Sequence, residues 1–440
     1  MKKLLLSMAA LPLVIGGLSV SASADGINIL DNIKLKGQIR PRFESVDDGK
    51  ATTANASAYT VRTKLTATAD LLGVDGLSAT IGIISVNNLG SHEYNAGDGK
   101  VYTDGSGKAY STVVDPQKAM ISNAEINYSI DKTTAHVGRS QINLDNQRFI
   151  GTVGWRQFER SYDSVFVANN SVKNLSLLAA WVYGIQGVGS KPLPYQGPFS
   201  ENTYDTNSVI LHVAYKVMPE LKVTAYDYMI AGAHDTYGIA LTGKVKTDMA
   251  KLSYRAEYAL QKDSTMEIHN SNGKADASYY NLDLGVNVNG ILAGVNYEFL
   301  SGTTGTDGKT NFNPALGTNH KFNGWADVFY VGNSGPLGGL KDFNVRLGYT
   351  AKGLGKLLAV YHTFTADKTM GTNGGTISTS DDLGSEIDIV YTNKIPGVNN
   401  LTGLLKYADY SGGTVNDGIQ NYTNDIQKIW VGLDYKFVTK

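Results

Sequence analysis

The chain has 440 residues, with 39 Lys and Arg against 40 Asp and Glu and no cysteine, so it is nearly neutral and has no disulfide, thiolate metal site or thiol nucleophile. That charge balance argues against nucleic acid as a partner. Proline is scarce at 10, whereas tyrosine at 26 and glycine at 49 are abundant, which suits strands, membrane interfaces and tight turns.

The chain begins MKKLLLSMAALPLVIGGLSVSASADG. Lys2 and Lys3, a short apolar run interrupted by Pro12, and Ala22-Ser23-Ala24 predict a secretory signal over 1–24, leaving 25–440 as a single domain. No later apolar run approaches the roughly 20 residues of a membrane-spanning helix.

The next segment, IKLKGQIRPRF, alternates. Ile33, Leu35, Ile39 and Phe43 fall on one face, and Lys34, Lys36, Gln38, Arg40 and Arg42 on the other. YTVRTKLTATADL repeats the pattern, with Tyr59, Val61, Leu65, Ala67 and Leu71 opposite Arg62 and Lys64. KLSYRAEYAL, YNLDLGVNV, ILAGVNYEF, FNVRLGY and IWVGLDYKF follow suit, whereas LSLLAAWVYG and KLLAVYHTF do not declare which face is which.

Connections come in two lengths. Short ones carry turn chemistry: GVDG at 73–76, DK at 131, MP at 218, NG at 289, GLG at 353 and PGVNN at 396. Long polar ones lie near 45–58, 86–119, 187–205, 261–277, 302–339, 366–382 and 411–425. Up-and-down barrels of outer membranes alternate short periplasmic turns with long outer loops. Counting 323–332 (NGWADVFYVG) as a strand gives nineteen and breaks that alternation, whereas placing it in a loop gives eighteen and restores it. The predicted fold is therefore all-β, a transmembrane up-and-down antiparallel barrel of about eighteen strands, with sixteen as the alternative count. A soluble sandwich would need a second domain, and no linker divides the chain.

Apolar faces toward lipid put the polar faces toward the lumen. Lys34, Lys36, Arg40, Arg42, Arg62 and Lys64 then form a basic ladder on adjacent walls. Arg255, Glu257, Asp283, Glu298, Arg346, Asp388, Lys406 and Asp434 are the other predicted pore-lining charges. Such a ladder favours anions, or else pairs with lumenal acids or an inserted loop and stiffens the wall.

One stretch does not alternate. QINLDNQRFIGTVGWRQFE, between a fifth strand ending near Ser140 and a sixth starting near Arg160, is rich in Arg, Gln and Asp, a mixture costly beside lipid and reasonable in a wet lumen. The longer run GRSQINLDNQRFIGTVGWRQFERSYD resembles a segment of the alginate-export type of outer-membrane porin, and LLKYADY…KIWVGLDYKF is similar to that family's last two strands. The resemblance implies an eighteen-strand barrel, an arginine-rich constriction and an acidic polysaccharide as cargo. Arg139, Asp145, Asn146, Arg148, Trp155, Arg156 and Gln157 carry over as constriction-loop residues. Ser140 stands between the first arginine and Gln141, where the family has glutamine directly, and acids offset the ladder. Both favour a general or small-anion porin over an alginate exporter. Whether 141–159 enters the pore stays open, as does its role as filter or latch.

The seven histidines have no metal-ligand spacing, and no nucleophile elbow or phosphate loop occurs, so neither metal, cofactor nor enzymatic activity is expected. The expected partners are outer-membrane lipid and lipopolysaccharide, the barrel-assembly machinery that reads a late aromatic such as Phe437, and small hydrophilic or anionic solutes. An adhesin or phage-receptor role for the long loops is the remaining alternative.

Overall fold

Period-two alternation does build strands. The computed structural model describes residues 29–90, 92–188, 203–266, 274–304, 307–330, 335–369, 380–417 and 420–439, and the signal segment expected over 1–24 lies outside them. The first nine long strands are β1 (Leu30–Asp47), β2 (Ala56–Leu71), β3 (Leu77–Asn88), β4 (Lys118–Ile130), β5 (Thr133–Ser140), β6 (Ser161–Asn169), β7 (Leu175–Gln186), β8 (Thr203–Met218) and β9 (Leu221–Ile230). The second nine are β10 (His234–Lys246), β11 (Lys251–Asp263), β12 (Lys274–Val288), β13 (Ile291–Ser301), β14 (Gly339–Ala351), β15 (Gly355–Thr365), β16 (Asp382–Lys394), β17 (Leu401–Ser411) and β18 (Ile426–Val438).

Each pairs antiparallel with its sequence neighbours, and β1 pairs with β18, with Gly37 opposite Phe437 and Phe43 opposite Val431. The ring closes at eighteen, so no lipid-facing edge is left with unpaired backbone groups. The alternative count of sixteen is set aside.

The outer face carries Ile39, Tyr59, Ile81, Leu282, Leu347 and Val431, all exposed. A continuous apolar belt around a closed cylinder is the surface of a barrel solvated by lipid. The ambiguous strands now resolve. β7 turns Leu177 and Trp181 outward and buries Ala180 and Val182, and β15 turns Leu357 and Tyr361 outward and buries Val360, His362 and Phe364.

Long and short connections alternate as predicted, except that β9 and β10 are joined at the long-loop end by only 231–233. Asn289 and Gly290 make the two-residue turn between β12 and β13, with φ of 50° and 91°, the left-handed pair that asparagine and glycine accept most readily. Residues 323–332 form no strand in the described part. They lie in the β13–β14 loop beside a single 3-10 turn, Asn319–Lys321.

The inward faces are less polar than alternation alone suggests. Trp430, Tyr162, Tyr226, Tyr279 and Tyr410 point inward and are buried, together with Ile150, Phe312, Leu316 and Phe329 from loops. The barrel therefore encloses a small hydrophobic core built where loops fold back against the wall, and aromatic residues serve those positions.

Candidate functional site

The site is built by three loops that pack on one another and on the inner wall: 89–117 between β3 and β4, 141–160 between β5 and β6, and 302–338 between β13 and β14. Each must satisfy its own backbone groups inside the barrel, and each does so on the others or on wall charges. Gly151 N donates to Leu316 O and Thr318 N to Gln147 O, both at 2.9 Å, which ties the second and third loops together. A side chain at Gly151 would meet Thr318 Oγ1 at 2.2 Å, so this approach requires glycine.

The upper half of the basic ladder holds the 141–160 loop. Arg40 donates to Gln157 Oε1 and to Gly154 O, each at 3.0 Å, and also to Arg156 O. Arg42 donates to Trp155 O at 2.7 Å and pairs with Asp115 and, at 3.3 Å, with Glu44. Arg62 meets Glu159 at 2.9 Å, and Lys64 pairs with the same carboxylate. Gln157 closes the arrangement, its backbone N donating to Asp115 at 3.0 Å and its side chain to Thr60 Oγ1 at 2.9 Å.

From the loop side, Arg156 bridges Glu44 at 2.9 Å and Asp327 at 3.0 Å, and Lys428 approaches Asp327 at 3.2 Å. Burial alone would raise the Asp115 carboxyl, but Arg42 and Arg156 outweigh it and hold the group below the usual range. Asp327 is held well below it by His320, Lys428 and Arg156 against the same burial penalty. Burial would likewise lower the Arg156 guanidinium, and Glu44 and Asp327 reverse that and raise it. Every charge here is buried and paired, the condition under which buried ions are tolerated.

Arg148, fully buried, meets Glu298 at 2.9 Å, donates to Asn323 Oδ1 at 2.9 Å and lies over the Phe322 ring at 4.8 Å. Asn323 in turn donates to Glu298 and Asp342 at 2.6 and 3.1 Å. The backbone N–H groups of Trp325 and Ala326 donate to Asp388 and Glu386. Lys406 lies 4.1 Å from the Trp155 ring centre, 3.9 Å from that of Trp325 and 5.2 Å from that of Trp430.

The remaining predicted positions are more open. Lys34 and Lys36 face inward near the short-turn end, exposed and with no ion-pair partner among the described residues. Arg255 pairs with Glu257 at 2.7 Å, Arg346 with Asp283 at 2.6 Å, and Asp434 accepts from Gln38 at 2.6 Å. Asp145 accepts from His212 and Lys222, and Asn146 gives its carbonyl to Lys321.

Arg139 departs from the expected grouping. It is the penultimate residue of β5, on the same face as lipid-exposed Val137, and is bidentate to Asp163 of β6 at 2.6 and 2.7 Å. Placing it with the constriction loop is corrected by strand parity: Arg139 lies opposite outward-facing Ala124. Glu44, Asp115, Glu159, Asp327, His212, Lys222, His320 and Lys321 were not singled out in the sequence. Glu44 was within reach, since it extends the inward face of β1 two residues beyond Arg42. The other loop residues carry no local signal.

No protein-family profile matches the chain, and no curated protein does. Solved structures do. Acinetobacter baumannii OccAB4 superposes with a TM-score of 0.68 at 14% identity, covering 93% of this chain and 99% of that one. Pseudomonas aeruginosa OccK8 (OprE) gives 0.68 at 15%, covering 94% and 100%. P. aeruginosa OpdK, solved with vanillate, gives 0.65 at 10%, covering 93% and 99%. The chain shares their eighteen-strand fold. The structural matches are Occ/OprD outer-membrane porins, and the resemblance to the alginate-export type finds no support among them.

Proposed function

We propose that the chain is an outer-membrane porin through which small hydrophilic solutes diffuse passively, with a preference for anions. The observation that carries this reading is a closed, lipid-belted cylinder narrowed by inward loops, with lysines left facing water at Lys34, Lys36, Lys222 and Lys321. One-sided charge in a low-dielectric wall focuses its field into the water and enriches counterions. The vanillate in the OpdK crystal structure is a small organic anion, which favours the same class here.

The upper ladder serves as a latch in this reading, because Arg40, Arg42 and Arg62 spend their donors on the loop. Neither polysaccharide export nor a receptor role has an observation in its favour. Lipopolysaccharide surrounds the outward belt, and the assembly machinery recognises the alternating last strand ending in Tyr435 and Phe437. Reversal potentials of the reconstituted chain under a KCl gradient test the proposal: a chloride preference supports it, and a strong potassium preference sinks the anion assignment.

A further inference from the structure

The tip of the 141–160 loop is a tight turn in which Gln147 N donates to Leu144 O at 2.8 Å, and Asp145 and Gln147 both have left-handed backbones with φ of 47° and 70°. Aspartate and asparagine accept this conformation more readily than other side-chain residues. The turn leaves the Asp145 backbone open to water and points its carboxylate into the wall, where the side chain is only 9% exposed.

There it meets a basic cluster gathered from four elements. His212 Nε2 of β8 lies 2.9 Å from Oδ2, and Lys222 Nζ of β9 lies 3.2 Å from Oδ1. Lys321 of the 302–338 loop donates to the neighbouring Asn146 O at 3.0 Å. Arg255 of β11 is held by Glu257 and acts on both Asp145 and Lys321 through its charge. Burial would raise the Asp145 carboxyl, but His212, Lys222 and Arg255 together hold it below its usual range. Lys321 is lowered by burial and by Arg255, as expected where like charges are crowded. His212 and Lys222 thus touch the Asp145 carboxylate on the loop tip, Lys321 holds the next residue's carbonyl, and Arg255, paired with Glu257 on β11, adds its charge to the same region.

We propose that Asp145 is a tethered counter-anion seated in a site for small anions formed by His212, Lys222, Arg255 and Lys321, and that a permeating anion passes the constriction by exchanging with it. This rests on the porin reading above and names the groups that would set its selectivity. Lys222 is the point of entry, its side chain 42% exposed to the lumen. The loop carboxylate keeps the site from holding a passing anion too long, since a channel must bind weakly enough to release.

The test compares wild type with Asp145→Asn and with the double variant Lys222→Gln/Lys321→Gln in planar bilayers, each first checked for the heat-dependent gel mobility of a folded barrel. Asparagine keeps the left-handed turn and removes only the charge. The chloride-to-potassium permeability ratio should rise about threefold in Asp145→Asn and fall by a similar factor in the double variant, the scale of one charge in a focused field. Block of the current by millimolar inorganic phosphate should strengthen in the first and weaken in the second. Unchanged selectivity and unchanged phosphate block in a conducting Asp145→Asn channel would overturn the proposal and leave the porin reading intact. A wild-type chain that conducts nothing would overturn both.

Discussion

Lys406 Nζ lies 2.7 Å from His320 Nε2, and His320 Nδ1 lies 2.5 Å from Asp327 Oδ1. The lysine donates, the imidazole accepts on one nitrogen and donates from the other, and the carboxylate ends the chain, which requires a neutral ring. The Trp155 ring stacks on His320 with 4.7 Å between centroids and 7° between planes, sealing it from water. Burial, first, and the Lys406 charge against the pull of Asp327 lower His320 from 6.5 to about 3.

That shift fixes a sign. A base whose folded value lies below its unfolded one is destabilised as protons are added, because the unfolded chain takes up the proton that the folded chain refuses. Stability in detergent should therefore fall as pH drops from about 6.5 toward 3. Asp327 and Asp115, both held low, add their losses below about 4. Unfolding midpoints across pH should show this slope, and His320→Gln should flatten its upper part.

Replacing Arg156 with alanine removes the cation that Glu44 and Asp327 share, leaving buried Glu44 only the longer contact to Arg42 and Asp327 only Lys428 and His320. Removing one partner of a buried pair costs about 3–5 kcal/mol. Urea unfolding read by gel mobility should show a loss of that order, and single-channel current should become noisier as the loop loosens.

Latch and filter separate by substitution. Arg42→Gln should lower the unfolding temperature and shift the reversal potential little, since Asp115, Glu44 and the Trp155 carbonyl consume the guanidinium. Lys34→Gln with Lys36→Gln should do the reverse, reducing chloride preference with little change in stability.

The two faces of β1, β2 and β18 were legible because an outward residue must be apolar at every second position across the bilayer. The alternation of loop lengths placed 323–332 in a loop, and its described residues 323–330 form no strand, because an all-antiparallel closed ring needs an even number of strands. What escaped was non-local. Arg42 and Trp155 are 113 residues apart in the chain, and Asp115 and Gln157 are 42 apart. Nothing near any of them announces the partner. Trp430, on the inward face of β18, is a core residue because inward loops make part of the lumen apolar. Arg139 misled because the family resemblance carried it over with the loop, whereas a cross-strand carboxylate lets an arginine sit on the outer face.

The outer belt makes its own prediction. Val431 lies midway along β18 and faces outward. Arginine there should cost about 2–4 kcal/mol, the penalty of a cation near the bilayer midplane. Folding into vesicles should register that loss, whereas the same substitution at Asp434, on the inward face, should not.

The most direct trial of the whole account is to add purified, detergent-folded chain to one side of a planar lipid bilayer in symmetric KCl. Discrete upward steps of ohmic current, followed under a salt gradient by a reversal potential of the sign set by chloride, are what a constricted, lysine-lined cylinder must give. A bilayer that stays silent while the chain remains dissolved without detergent would contradict it.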